Sequence, residues 1–354
     1  MKKVVLSALM AVALASPALA ADLKMPVKAP PPPPSPWDFA FGSALMSDYM
    51  WRGITQSNHR PSVAAYFEPR YNFTDSLQGY VGFSGESIDF PNRAAAEIDF
   101  YGGIRPTFGK AAFDFGGWYY YYPGGNCFSA GTFQAATGTG PTACSTFGNS
   151  LATWAGGQLP VPGLGFLPGG AGNVVKNNIS WWEVYGKLTY TVTDAFSLGG
   201  SVYYSPSVAN SGAWGTYAAG TAKYVTPAML PWGLGLYFSG DVGYWWFGTT
   251  DAFYGTATFP AGITYKSYLN WDLGFALTKG VWTMDFRYYD SNLSKGDCNA
   301  FTSDHTAEPV SGAVTSINPA VFGPFALGSR WCSATFVVKM SADLTLANLT
   351  KDSK

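Results

Sequence analysis

From Trp37 onward, apolar and polar positions alternate with period two in about twelve stretches, each close to the nine to eleven residues a membrane-spanning strand needs. In Trp37 to Arg52, Phe39, Phe41, Leu45, Tyr49 and Trp51 share one face, and Asp38, Gly42, Asp48 and Arg52 the other. Ala94 to Arg105 sets Ile98, Phe100 and Ile104 against Glu97, Asp99, Tyr101, Gly103 and Arg105. Ala112 to Tyr122 sets Phe113, Phe115, Tyr119 and Tyr121 against Asp114 and Gly116, and Trp181 to Thr193 sets Trp182, Val184, Leu188 and Tyr190 against Glu183 and Lys187. Leu234 to Trp246 and Gly280 to Asp290 repeat the pattern, with Asp241, Asp285 and Arg287 opposite the apolar face. Weaker stretches are Val63 to Tyr71, Leu77 to Glu86, Phe196 to Tyr204, Thr216 to Thr226, Tyr268 to Leu277 and Ser333 to Met340.

The connections alternate between short and long. Short ones fall at Thr74-Asp75-Ser76, Phe108-Gly109-Lys110, Thr193-Asp194, Pro227 to Pro231 and Thr278-Lys279-Gly280. Long ones run from Gly53 to Pro61, Ser87 to Arg93, Pro123 to Ser180, Ser205 to Gly215, Gly248 to Thr264 and Ser291 to Arg330. Outer-membrane barrels join strands by short periplasmic turns and longer extracellular loops, so the pattern predicts an all-β, antiparallel transmembrane β-barrel of about 12 strands. With the amino end in the periplasm, Tyr49, Trp51, Trp118 to Tyr122, Trp181-Trp182, Tyr244 to Phe247, Tyr288-Tyr289 and Trp331 lie at outer strand ends, where an interfacial aromatic girdle is expected.

Composition supports a membrane setting. Only 12% of residues are charged and 17% are aromatic, with 42 glycines, against roughly 25% charged in soluble domains. A net charge of -1 offers no basic face for nucleic acid. Upstream, Lys2 and Lys3 precede an apolar run from Val4 to Ala15, and Ala18-Leu19-Ala20 supplies a small-residue cleavage pattern; 1–20 read as a signal peptide. The run Pro30 to Pro34 makes 21–36 a stiff periplasmic linker. The barrel is expected over 37–341 and a C-terminal extension over 342–354.

Four cysteines in an exported chain point to disulfides, and loop sharing selects Cys127 with Cys144 and Cys298 with Cys332. No CxxC or histidine cluster suggests a metal site, and no cofactor is expected. His59 and His305, the two histidines, fall in outer loops without a partner at recognisable spacing. No nucleophile elbow or P-loop is present, so an enzyme is not expected. Glu97 and Asp99 point to one side of a strand, as lumen charges of a pore do. Glycine pairs such as Gly116-Gly117 and Gly199-Gly200 ease curvature or leave lumen space.

The segment Ser47-Asp48-Tyr49-Met50-Trp51-Arg52-Gly53-Ile54-Thr55-Gln56, with Pro61 shortly after, resembles the TorF-type porins of proteobacteria. So do Glu97, Asp99 and Tyr101, the run Trp118 to Gly124, and Trp182-Glu183-Val184-Tyr185, in the expected order. The loops Pro123 to Ser180 and Ser291 to Arg330 are longer than is usual for that family, and no aromatic closes the chain. The resemblance implies passive passage of small solutes, with outer-membrane lipid and the barrel-assembly machinery as partners and a homo-oligomer as one arrangement porins adopt. The alternative is a structural or adhesive surface barrel without a conducting pore. Candidate pore-lining residues are Asp48, Arg52, Glu68, Arg70, Glu86, Glu97, Asp99, Arg105, Asp114, Glu183, Lys187, Asp241, Asp272, Asp285 and Arg287. Asp48 and Arg52, on the lumen face of one strand, are the leading polar-site candidates, or else an ion-pair ladder fixing strand register.

Overall fold

A computed structural model describes residues 36–346 apart from 126–127, 130–157, 162–164, 169–173, 228, 256–257 and 321–323. The segments expected to be a signal peptide and most of the expected linker, together with Cys127, Cys144 and much of the Pro123 to Ser180 loop, therefore lie outside the described residues.

Twelve antiparallel strands close into one barrel. In chain order they are β1 (Trp37–Met46), β2 (Ser62–Thr74), β3 (Leu77–Glu86), β4 (Glu97–Phe108), β5 (Ala111–Tyr121), β6 (Trp181–Thr191), β7 (Phe196–Ser205), β8 (Gly215–Val225), β9 (Gly235–Phe247), β10 (Tyr268–Lys279), β11 (Trp282–Ser291) and β12 (Thr335–Thr345). Each strand pairs with its sequence neighbours, and β12 returns to β1 with Phe41 opposite Leu344 and Leu45 opposite Met340, so no edge is left unpaired. The last strand thus pairs past residue 341, taking four residues assigned from sequence to the C-terminal extension.

Closure matters because hydrocarbon offers no hydrogen-bond partner to a bare strand edge. The alternating residues sort as expected. Leu45, Val81, Phe100, Phe115, Val184, Val242, Leu273 and Phe336 are exposed on the outer surface, an apolar belt facing lipid. No described helix is long and apolar enough to cross a membrane, which says nothing against crossing by strands. A twelve-strand barrel with an apolar exterior and a charged interior is an outer-membrane β-barrel.

The aromatic girdle needs correction, because adjacent residues of a strand point to opposite faces. Tyr119, Tyr121, Trp182, Trp246 and Tyr288 do face outward. Their neighbours Tyr120, Tyr122, Trp181, Trp245 and Phe247 are buried inside the barrel, and Trp331 is buried among the loops against Asn58 and His305. Trp181 stacks on Tyr120 with ring centroids 4.6 Å apart, and Trp245 packs against Phe247 at the same separation. The upper lumen is therefore an aromatic core. Glycines make room for the inward rings: a Cβ at Gly116 would come within 2.6 Å of the Tyr185 hydroxyl, in line with the expected lumen space.

Above the barrel, the segment after β11 forms the helix α1 (Lys295–Thr302), capped by Ser294, whose hydroxyl accepts from the Asp297 amide. Cys298 and Cys332 are bonded, with Cα atoms 6.0 Å apart, tying α1 to the chain just before β12. One of the two expected disulfides is thus present, and the other lies outside the described residues.

Candidate functional site

The first motif departs most from its expected course. β1 ends at Met46, and Met50–Trp51 pairs with Ile54–Thr55 as a separate two-stranded hairpin. Arg52 and Gly53 form its two-residue turn with φ of 48° and 77°, the pair of positive values a type I′ turn demands. Glycine adopts this region freely, whereas arginine does so only when surrounding contacts over-determine it.

Those contacts come from across the lumen. The Trp51 ring meets Tyr120, Trp181 and Trp245 edge-on, with centroids 5.1 to 5.9 Å away. The Tyr268 hydroxyl of β10 donates to the Arg52 carbonyl at 2.8 Å. Gly53 approaches β10 so closely that a Cβ there would lie 2.8 Å from that of Asn270. At the tip, the Arg52 guanidinium donates both Nη groups to Glu183 of β6, at 2.8 and 2.9 Å, and Tyr120 donates to the same carboxylate at 3.0 Å. The aromatic faces of Trp51, Tyr203, Tyr217 and Trp245 surround the guanidinium, 4.3 to 4.7 Å from its carbon. A planar cation suits this double role, with its fork on a carboxylate and its faces on π-systems.

Asp48 and Arg52 therefore do not share a strand, and they make no ion pair. Asp48, buried after β1, accepts from Thr55 and from Ser57 (3.0 Å) and meets His59 Nδ1 at 2.7 Å. His59 has a partner after all, because the chain folds back where a continuous strand was expected. His305 likewise lies 3.5 Å from Asp89, a residue from a different loop. Tyr49, expected on the outer face with Trp51, points inward and donates to Glu97 at 2.7 Å.

His59 Nε2 lies 3.1 Å from the Arg330 carbonyl, so both ring nitrogens face acceptors and the imidazolium satisfies both. The hydrogen bond to Asp48 raises the His59 pKa above its ordinary 6.5, partial burial opposes this, and the Arg330 carbonyl adds to the rise. A raised folded-state value gives a contribution that is complete below the ordinary 6.5 and lost as pH climbs from there through the raised value. The heat-denaturation midpoint of the barrel is therefore expected to fall on alkalinisation from pH 6.5, more in the native protein than in His59→Gln. Parallel profiles for the two would refute the clasp.

The remaining candidates all face the lumen, most of them in neutralising networks. Glu68 accepts from Arg70 at 2.6 Å and from both Nη groups of Arg105, at 2.7 and 3.1 Å. Arg105 also reaches Asp114 at 3.4 Å, and Tyr80 donates to that carboxylate. Arg287 holds Asp285 at 2.9 and 3.0 Å and also pairs with Asp272. Lys187 sits over the Tyr185 ring at 4.2 Å, and Asp241 faces the Tyr217 hydroxyl at 3.5 Å. Glu86, Glu97 and Asp99 gather at the outer end of the β3–β4 wall.

Beneath the hairpin lies a cavity of about 760 Å³, lined by Arg52, Glu68, Arg70, Glu86, Asp99, Lys187 and Asp241 and by rings including Tyr101, Trp118, Tyr203 and Tyr217. Seven of the fifteen candidates thus line one chamber. Tyr80, Tyr120, Tyr122, Tyr185, Tyr217 and Trp245 complete these networks and were not among the candidates. Tyr120 and Tyr122 share the parity of Asp114, a signal that could have placed them inside.

These features define an outer-membrane barrel with a polar, partly obstructed lumen. Residues 31–148 match a family model described as a bacterial protein of unknown function (Gcw_chp). No curated protein matches the chain in sequence. Among solved structures, it is similar to the COG4313 outer membrane channel from Pseudomonas putida F1, at 9% identity over 88% of this chain and 96% of that one, with a TM-score of 0.38. A mutant of the TodX monoaromatic hydrocarbon channel gives 10% identity over 88% and 90%, with a TM-score of 0.36. OmpT, an outer membrane protein of Vibrio cholerae, gives 11% over 87% and 96%, with a TM-score of 0.31. The assignment to a class rests on the strand geometry of this chain itself.

Proposed function

We propose that this barrel is a porin of the TorF type that lets small polar solutes pass the outer membrane passively, with the Met50–Thr55 hairpin as its constriction. The observation that carries this reading is the chamber of about 760 Å³ below the hairpin. A barrel serving only as a scaffold gains nothing from an unfilled interior, because voids forfeit dispersion contacts. The mixed charge of its walls suits hydrated solutes over apolar ones. The motif Asp48 to Gln56, which carries the TorF-type resemblance, is the segment that crosses the lumen. No catalytic role is assigned: Asp48, Ser57 and His59 are held in a clasp between loops, and His59 has no hydrogen bond to Ser57.

A second reading, a surface barrel that does not conduct, is favoured by the completeness of the Arg52–Glu183 lock. Single-channel recording of the refolded protein in a planar bilayer separates the two. Passage predicts discrete, small conductance steps that enlarge in Arg52→Ala. Silence from both folded proteins would leave the scaffold reading.

A further inference from the structure

The ion pairs of the lumen leave out a cluster of three carboxylates. Glu86 on β3 faces Glu97 on β4 directly across the ladder, and Asp99 lies two residues along the same inward face. Their carboxylate oxygens come within 4.8 Å of one another. Like charges placed directly opposite destabilise a sheet unless something neutralises them. Among the described residues, no ion pair with Lys, Arg or His reaches any of the three.

A separate observation singles out the same cluster. Asp99 is only 3% exposed, yet its Oδ1 makes no hydrogen bond of full geometry even with the Trp118 indole N–H beside it, which is likewise unpartnered, and Glu86 Oε2 is buried and unpartnered too. Ser84 donates to Asp99 at Oδ2 alone, at 3.2 Å. Buried acceptors without donors carry a full desolvation cost. Glu97 is different: Tyr49 and Tyr122 donate to its two oxygens at 2.7 and 2.8 Å. That arrangement fixes the carboxylate as outer-shell donors fix a metal ligand, leaving its remaining lone pairs free. The chamber below opens onto Glu86 and Asp99 and supplies both an approach path and room for water.

We propose that Glu86, Glu97 and Asp99 bind a divalent cation of the calcium class at the outer end of the lumen. Oxygen-only ligands select a hard cation over zinc or copper. Calcium, with oxygen distances of about 2.3–2.6 Å and flexible geometry, spans donors up to about 5 Å apart; magnesium demands a tighter octahedron. The ion neutralises the three carboxylates, occupies the two orphaned oxygens and takes the rest of its shell from chamber water. Through Tyr49 and Tyr122 it also joins the root of the hairpin and the end of β5 to the β3–β4 wall.

Terbium, a luminescent stand-in for calcium, tests the site on the refolded full chain in detergent after chelator treatment. Trp118, beside Asp99, and the two tyrosines serve as sensitisers. We expect saturable terbium luminescence on aromatic excitation, displaced by calcium at lower concentration than by magnesium. The signal disappears in the Glu86→Gln/Asp99→Asn double variant and persists in Asp194→Asn, a periplasmic-turn control. Tyr122→Phe, which keeps all three ligands, is expected to weaken binding about 10–100-fold and decides the matter if the double variant does not fold. Luminescence that calcium fails to displace, or that survives in the folded double variant or is unaltered in Tyr122→Phe, would overturn the site and leave protons to neutralise the cluster. The readout does not involve conductance, so a silent barrel leaves this site standing and a failed titration leaves the passage reading standing.

Discussion

Glu183→Ala is expected to enlarge the single-channel conductance several-fold and to lower the denaturation midpoint of the barrel. The Arg52 and Glu183 side chains are 6% and 1% exposed, and removing one partner of a buried pair costs about 3–5 kcal/mol because the other charge is stranded. Arg52 then leaves its aromatic enclosure for water and draws the hairpin tip with it, since contacts across the lumen help to hold the positive φ at its turn. Arg52→Ala/Glu183→Ala should be less destabilised than Glu183→Ala alone, because no charge is left unpaired. Unchanged conductance and an unchanged midpoint in Glu183→Ala would show that the hairpin is held by its backbone and Trp51, with the ion pair contributing nothing.

Removing the Cys298–Cys332 bond is expected to release the cap over the barrel mouth. The bond closes a loop with a sequence separation of 34, for which loop entropy gives about 4 kcal/mol. Its enclosed helix α1 seats Phe301 against Phe247 and Tyr265, with ring centroids 4.8 and 4.9 Å away. In Cys298→Ser/Cys332→Ser, or after reduction, protease should cut between α1 and β12 while the strands stay intact. Equal resistance with and without the bond would mean that Phe301 and the Asn299–Asn318 contact suffice to hold the cap.

The strands were legible in the sequence because each obeys a local rule. The charge parity of Ala94 to Arg105 and Trp181 to Thr193 recurs in β4 and β6, where Ile98, Phe100, Trp182 and Val184 turn away from the lumen charges. Trp37 to Arg52 obeyed the same rule only as far as Met46. Beyond it, alternation continued in the letters while the backbone left the sheet, because Asp48, Thr55, Ser57 and His59 satisfy one another locally. Short polar side chains compete with the ladder for backbone groups in this way. Assigning all rim aromatics to the girdle failed for a simpler reason: Tyr119 and Tyr120, or Trp245 and Trp246, cannot share a face.

By itself, the sequence determined the number and order of the barrel strands, the short turns between them and, for the strongly alternating stretches, which face meets lipid. Period-two burial and turn chemistry act over a few residues, and closure of the barrel adds only the pairing of β12 with β1. Tertiary structure alone decided what fills the lumen. Arg52 meets Glu183 across 131 positions of chain, and Glu86 comes within 4.8 Å of Glu97 and Asp99. Such contacts depend on which inward side chains a closed wall brings to the same height, a quantity set by register and curvature that no local spacing encodes.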